Sequence, residues 1–251
     1  MSVGACASLV ERGDPDKFMA IMAAPIGVRG KLFVLYAFNL EVARAPWVTK
    51  EPMIAEMRLQ WWRDVVVGTS PLAHEVAGPL HDLIREAGLP VEVLDKLVTA
   101  RIWDIYSDPF ADYSAFSDYI DDTSAGLMWL AAKALGADAH AETAVRRRGW
   151  AAGLAGYLRA VPELEARGRV PLVDGRPESV AALAREGLAR IAQARAERRR
   201  IPKAAVLTGW QAQGLLRQVA ANPAIVARNE MGLSEFARRG GLVWQSMTGR
   251  F

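Results

Sequence analysis

The sequence predicts an all-α protein that forms a single domain. Apolar residues recur at the three- and four-residue spacings of amphipathic helices, and no alternating pattern of useful length indicates a strand. The 251 residues are few for two α domains, and 51% hydrophobic with 24% charged residues is typical of a globular protein with a large core. We therefore expect one bundle of about ten helices over residues 1–251.

Prolines and glycines divide the N-terminal half into helices. Asp14 offers an N-cap and Pro15 a first-turn proline for the first helix. Pro46 ends the second helix and Pro52 begins the third, while Gly68-Thr69-Ser70-Pro71 separates the third from the fourth. The predicted helices cover approximately residues 16–24, 28–44, 52–67, 72–87 and 90–106.

The C-terminal half is divided by longer loop signals. A loop is expected around Asp108-Pro109-Phe110, Gly136 is a plausible C-cap, and the longest loop signal is ARGRVPLVDGRP at 166–177. Asp121-Asp122-Thr123-Ser124, before an apolar run, is typical of helix-capping chemistry. The predicted helices cover approximately 114–135 with a kink, 139–161, 178–199, 203–221 and 233–245.

Bulk properties exclude several classes of function. The single cysteine, Cys6, cannot form an internal disulfide, and no Cys/His cluster indicates zinc, so a reducing, cytoplasmic location is expected. The first 18 residues lack the charged start and long apolar run of a secretory signal, and no apolar run is long enough to span a membrane, so we expect neither a signal peptide nor a membrane-spanning helix. The net charge is +3. Basic runs at 146–148 and 198–200 indicate solvated helix faces or, alternatively, an anionic membrane or partner surface. Aromatic residues do not interleave with these charges, which argues against nucleic-acid binding.

Three sequence blocks carry a family resemblance. They are Leu35-Tyr36-Ala37-Phe38, then Arg58-Leu59-Gln60-Trp61-Trp62-Arg63-Asp64, then Arg167-Gly168-Arg169-Val170-Pro171-Leu172. In their order and spacing they resemble the squalene/phytoene synthase superfamily. The resemblance implies the all-α terpenoid synthase fold and enzymes that join two prenyl diphosphates head to head, with magnesium held by two aspartate-rich motifs.

Both aspartate-rich motifs are altered in this chain. Asn39-Leu40-Glu41-Val42-Ala43-Arg44 stands where the first should be, and Arg159-Ala160-Val161-Pro162-Glu163-Leu164 where the second should be. Pro162 is expected to end or kink its helix. Ionising a prenyl diphosphate requires Mg²⁺ held by several carboxylates, and one glutamate per motif is a poor scaffold. We therefore predict no metal site, no cofactor and no catalytic residues.

A second resemblance is closer. Ala37-Phe38-Asn39-Leu40-Glu41-Val42-Ala43, Met57-Arg58-Leu59-Gln60-Trp61-Trp62 and Leu158-Arg159-Ala160-Val161-Pro162 are similar to the NADH dehydrogenase complex I assembly factor 6 family, which lacks the metal motifs. That resemblance implies a role in maturing a respiratory complex. Its partners would be complex I subunits or assembly intermediates, with peripheral contact at the inner face of the cell membrane.

Two alternatives stay open. One is an active prenyl-diphosphate transferase that binds Mg²⁺ through unusual ligands: Glu41, Glu163, or aspartates between residues 104 and 122. Three D-x-x-x-D spacings there place carboxylates on one helix face, although we interpret that stretch as structural. The other is a plain lipid-binding bundle without a respiratory role.

A pocket is expected where the altered motifs meet. Trp61 and Trp62 beside arginines indicate either ordinary packing or the wall of a retained tunnel that holds a lipid or isoprenoid. Asn39 and Glu41 would then lie inside the bundle, where a buried glutamate needs a cationic partner. The predicted pocket residues are Arg29, Tyr36, Asn39, Glu41, Arg58, Trp62, Arg63, Tyr119, Arg159 and Glu163.

Overall fold

The helical prediction is confirmed. The computed structural model describes residues 3–68 and 73–250, and no β-strand occurs within those ranges. The helices are α1 (Val3–Gly13), α2 (Pro15–Met22), α3 (Ile26–Arg44), α4 (Pro52–Val67), α5 (Ala77–Ala87), α6 (Val91–Ala100), α7 (Tyr113–Ile120), α8 (Gly126–Ala134), α9 (Glu142–Ala166), α10 (Pro177–Ala196), α11 (Lys203–Val206), α12 (Ala212–Ala221), α13 (Ala224–Ala227) and α14 (Glu235–Thr248). Among the connections, a π turn (Asp121–Ala125) joins α7 to α8, and a 3-10 turn (Arg101–Asp104) follows α6.

The core lies around α3, α8 and α9. Helix α9, 25 residues long, packs against α8, α10, α12 and the π turn. Helix α8 buries every residue except Lys133, as expected of a helix that is apolar on all sides. Helix α3 buries a continuous run from Leu32 to Phe38, because α1, α2, α5 and α8 all pack against it.

Two helices differ from prediction for reasons of packing. Helix α1 was not predicted, since its two glycines and its serine give a weak local signal. Cys6 and Val10 nevertheless bury its inner side, and it packs against α3. Helix α9 continues through Pro162 to Ala166, so Pro162 does not end the helix, and the alternative expectation of a kink stays a prediction. Val161 and Leu164 on either side are buried, and this packing maintains the helix despite the lost hydrogen bond.

Other boundaries are also corrected. Asp121–Ala125 continues α7 as a π turn, so the helix cap predicted at Asp121–Ser124 is wrong. The residue that caps α7 is Asp112, whose carboxylate accepts a hydrogen bond from the Ala115 N–H at 2.9 Å. The predicted helix at 90–106 ends at Ala100, and the one at 203–221 is divided into α11, a 3-10 turn and α12. The loop predicted at 166–177 is confirmed with bounds of 167–176, since Ala166 ends α9 and Pro177 begins α10. Gly68 ends α4, as the predicted break at Gly68–Pro71 requires. The rest of that break and the first residue of the helix predicted at 72–87 (residues 69–72) lie outside the described residues. The single domain over 1–251 stays a prediction.

Candidate functional site: a cavity between α3, α8 and α9

A cavity of about 340 Å³ lies at the centre of the bundle. Its walls are largely apolar and come from α3, the π turn with α8, and α9. The polar groups that reach it come from six separate chain segments, which brings together residues up to 191 positions apart. They are Lys17, Tyr36, Asn39, Arg101, Asp104, Tyr119, Thr123, Ser124, Tyr157 and Thr208.

Glycines on α9 set the width of the cavity. A Cβ atom at Gly153 would lie 2.4 Å from Ser124 Cβ, and one at Gly149 would lie 2.7 Å from Ala125 Cα. Helix α9 therefore approaches the π turn as closely as glycine allows. Gly156, one turn further along, has nothing within 4 Å and faces open space.

A buried hydrogen-bond network occupies one wall. Arg101 donates from Nη1 to Asp104 at 3.2 Å and to the Tyr119 hydroxyl at 2.9 Å. The Tyr119 hydroxyl lies 3.0 Å from both Asp104 oxygens and donates to that carboxylate. Burial raises the pKa of Tyr119, which keeps the phenol protonated as a donor. The Asp104 carboxylate is therefore already compensated by an arginine and a phenol.

Arg169 positions this wall from behind. Its guanidinium donates to the backbone carbonyls of Trp103 (3.2 Å), Asp104 and Tyr106, and it lies 4.9 Å from the ring centroid of Trp47. The loop after α9 thereby fixes the 3-10 turn that carries Arg101 and Asp104. The pocket prediction did not include Arg169. The sequence signal that could have indicated its role in holding the 3-10 turn is its place in the family-like block at residues 167–172.

Tyr36 and Asn39 line the opposite wall, on α3. The Tyr36 hydroxyl lies 2.5 Å from Thr208 Oγ1, and burial raises the pKa of Tyr36, so the phenol stays neutral. The Asn39 Oδ1 atom is buried without a hydrogen-bond partner among the described residues. An unsatisfied acceptor of this kind is costly, which makes it a candidate contact for a donor on a bound molecule.

A second cavity of about 580 Å³ adjoins the first and shares part of its lining with it, including Lys17 and Thr208. The Asp16 carboxylate contacts three side chains at the rim of this second cavity. One of its oxygens pairs with Arg238 at 2.7 Å, and the other accepts a hydrogen bond from Gln211 at 2.7 Å and lies 3.8 Å from Arg159. The predicted residues Arg159 and Glu163 belong to this rim. Glu163 is exposed and pairs with Arg167 at 2.5 Å, so it is directed away from the central cavity.

Glu41, Arg58 and Trp62 lie elsewhere, in a cleft of about 370 Å³ beside α4. Trp62 is buried there, edge-on to Trp61 with ring centroids 4.8 Å apart. The expectation that Glu41 lies inside the bundle with Asn39 is not met, because residues two apart point to roughly opposite sides of a helix. Glu41 is only half buried, so it does not need the cationic partner expected for a buried carboxylate.

Two further predicted residues lie outside these three cavities. Arg29 donates from Nε to the Ala24 carbonyl at 2.8 Å, close to the end of α2. Arg63 forms a two-pronged ion pair with Asp95, at 2.6 and 3.1 Å, that ties α4 to α6. Both arginines therefore connect structural elements, and the candidate site depends instead on Lys17, Arg101, Asp104 and Thr208, which the pocket prediction did not include.

Comparison with known proteins decides the family. A sequence profile described as squalene/phytoene synthase matches residues 10–237. The chain belongs to the squalene/phytoene synthase family. Solved structures of this kind share its fold: a dehydrosqualene synthase with bound ligand (TM-score 0.77, 12% identity, 98% of this chain and 95% of that one) and squalene synthase HpnC from Alicyclobacillus acidocaldarius (0.73, 15%, 92% and 95%).

The curated relatives carry a different name from the solved structures. NADH dehydrogenase (ubiquinone) complex I, assembly factor 6, from Bos taurus and from Homo sapiens are each 28% identical over 169 residues, covering 66% of this chain and 51% of theirs. The Drosophila melanogaster homolog is 30% identical over 182 residues, covering 67% and 53%. The chain thus spans about half the length of the curated relatives it matches.

The residues present do not fit the magnesium ions that the family fold implies. Within residues 3–68 and 73–250, no group of three or more His, Cys, Asp or Glu side chains is placed to hold a metal ion. The aspartates of 104–122 have other roles: Asp112 caps α7, and Asp121 pairs with Arg146 at 2.8 Å. Asp104 is the one carboxylate among the described residues that line the central cavity.

Proposed function

We propose that this protein is a non-catalytic member of the squalene/phytoene synthase family that assists the assembly of respiratory complex I. The names of its curated relatives support the respiratory role. The observation that carries the non-catalytic part is the lining of the central cavity. Its described residues supply one carboxylate, Asp104, and Arg101 and Tyr119 already bind it.

The chemistry of prenyl transfer explains why that lining matters. Departure of a diphosphate develops negative charge that must be neutralised, and Mg²⁺ needs several oxygen ligands at near-octahedral positions to do so. Losing one such charge stabilisation costs roughly 3 kcal/mol of barrier, on the order of 100-fold in rate. Glu41 and Glu163, the surviving carboxylates of the two motifs, face a separate cleft and the outer rim. We therefore assign no metal and no cofactor to the protein.

The central cavity suits a molecule with an apolar body and a polar or anionic end. Leu127 and Met128 supply apolar surface, while Lys17, Arg101 and the unsatisfied Asn39 Oδ1 supply polar contacts. Its volume is within the range of about 300–1,000 Å³ typical of ligand sites. A lipid or isoprenoid held in this cavity would stabilise the helical bundle. The outer surface of the bundle would then bind a complex I subunit or assembly intermediate, in the cytoplasm or at the inner face of the membrane.

Deletion of the gene in its host tests the respiratory role. The expected result is a loss of NADH-dependent quinone reduction in isolated membranes, with succinate-dependent respiration retained, and recovery on re-expression of the wild-type chain. The double variant Glu41→Ala/Glu163→Ala should restore activity as well as the wild type, since neither carboxylate acts in catalysis. Unchanged complex I activity in the deletion strain contradicts the proposal, and an apolar ligand extracted from the protein would then favour a plain lipid-binding bundle.

The family fold favours one other function, that of an active prenyl-diphosphate transferase, because the solved structures that match almost the whole chain are those of synthases. That function would require Glu41, Glu163 or the aspartates of 104–122 to act on one Mg²⁺ cluster. It predicts release of pyrophosphate from prenyl diphosphates, abolished by a chelator and by Glu41→Ala.

A further inference from the structure

Helix α14 presents an apolar face that the rest of the described chain does not cover. Phe236, Val243, Trp244 and Met247 are 89%, 56%, 57% and 78% exposed. Their spacings of seven, eight and eleven residues from Phe236 place them on one side of the helix. We call these four residues the α14 stripe. Leu242 is the one buried residue of this helix.

The opposite side of α14 is attached to the bundle by polar contacts. Arg238 pairs with Asp16 at 2.7 Å, the Trp210 indole donates to the Arg238 carbonyl at 3.1 Å, and Gln245 donates to the Trp210 carbonyl at 3.0 Å. Ser234 caps the first turn, with its hydroxyl accepting from the Ala237 N–H at 3.2 Å. The helix is therefore fixed in an orientation that directs the stripe outward.

Basic residues lie beside the C-terminal end of the stripe. A Cβ atom at Gly249 would be 2.5 Å from Lys203 Cε, so Lys203 packs against the end of α14. Arg200, the last residue of the exposed run Arg198–Arg200, precedes Lys203 by three residues, so the Cα atoms of these two residues are at most about 11 Å apart. Arg250, which directly follows Gly249, is exposed.

We infer that the α14 stripe and the basic run Arg198–Arg200 together dock onto an anionic phospholipid bilayer. Apolar side chains on one helix face enter the boundary of the acyl chains, and neighbouring arginines bind the phosphate groups. No helix in the described part of the chain has the length and apolar character to cross a membrane. This inference does not rest on the proposed role in complex I.

The size of the stripe favours a bilayer over a second copy of the chain. A helix of 14 residues is about 21 Å long, and one side of it offers a few hundred Å² at most. A stable protein–protein interface buries about 800 Å² per partner. A bilayer has no such requirement, since it gains from each inserted side chain and from the adjacent positive charge.

Vesicle co-sedimentation of the full chain tests the inference. The wild type should bind vesicles of phosphatidylcholine and phosphatidylglycerol in equal proportion, and should not bind phosphatidylcholine alone. Phe236→Ser/Met247→Ser should weaken binding by on the order of 100-fold, about tenfold for each side chain. The matched control, Ile26→Ser/Met53→Ser, removes two residues of similar exposure (82% and 73%) outside α14 and should bind as the wild type does.

A fluorescent probe places the contact. Cys6, the single cysteine, is buried and its pKa is raised to about 11 by burial, so it should resist labelling. An environment-sensitive dye on Met247→Cys should shift to shorter wavelength with anionic vesicles, while the dye on Met53→Cys should not. Equal binding by wild type and the α14 double variant overturns the inference. So does a wild-type dimer that the double variant converts to monomer, since a second copy would then cover the stripe.

Discussion

Replacing Gly153 by alanine tests how closely α9 approaches the π turn, and Gly156, one turn further along the same helix, provides a matched control. A Cβ atom at Gly153 would lie 2.4 Å from Ser124 Cβ and 2.6 Å from Ser124 Oγ. Rotation of the serine can move its hydroxyl, but its Cβ is fixed to the backbone. Relief therefore requires the helix and the turn to separate. Gly156, on the same helix, has nothing within 4 Å of its Cβ position.

The two substitutions have opposite expected signs. Alanine in a helix is favoured over glycine by about 1 kcal/mol, so Gly156→Ala should raise the free energy of unfolding by up to that amount. At Gly153 the same gain is opposed by overpacking of about 1–3 kcal/mol, with the upper end favoured by a contact that no rotation can relieve. Gly153→Ala should therefore lower the free energy of unfolding by roughly 1–2 kcal/mol. For a chain of this length, 1 kcal/mol corresponds to about 2–4 °C in Tm.

Differential scanning calorimetry of both variants beside the wild type measures the difference. We expect Gly153→Ala to melt below the wild type and Gly156→Ala at or above it. A Gly153→Ala variant as stable as Gly156→Ala would show that α9 and the π turn are further apart than the structure places them, and the shape assigned to the central cavity would be wrong.

Two further predictions concern charged side chains that are buried or partly buried. Arg169→Met should lower the free energy of unfolding, measured by urea titration, by about 2–4 kcal/mol, because three backbone carbonyls lose their donor. Arg167→Met, which breaks an exposed ion pair, should cost less than about 1 kcal/mol, and equal losses would contradict the role given to Arg169. Asp122→Asn should raise Tm at neutral pH, because burial raises the pKa of Asp122 and the folded state therefore disfavours its charged form. This gain in Tm should disappear as the pH falls below the usual range of a carboxyl group, and a gain that is independent of pH would show that the charge of Asp122 is not its cause.

Local sequence signals predict most helix positions and fewer helix ends. Pro46, Pro52 and the loop at 166–177 mark real boundaries, because a proline or a glycine-rich stretch limits the backbone wherever it stands. Helix α1 and the passage of α9 through Pro162 depend on burial against distant segments, for which no local pattern exists. The family-like blocks predicted the fold class, and the structure and the matched synthase structures confirm it.

The candidate site was harder to predict than the fold. Tyr36, Asn39 and Tyr119 do line the central cavity, whereas Glu41 is on the other side of α3. Lys17 and Thr208 are 191 positions apart in the sequence, and packing of the 3-10 turn after α11 against α2 brings them together. Arg101 had a local signal, since it precedes Asp104 by the three residues of a helical ion pair.

The proposed lack of catalysis depends most on the scarcity of carboxylates around the central cavity, and an assay of pyrophosphate release is its sharpest test. Purified protein would be incubated with farnesyl or geranylgeranyl diphosphate and Mg²⁺, and release followed against a protein-free blank. We expect pyrophosphate release no faster than in the blank, with or without a chelator. Magnesium-dependent release that Asp104→Asn or Glu41→Ala abolishes would contradict it, because carboxylates would then act on a metal that the structure gives them no shared place to hold.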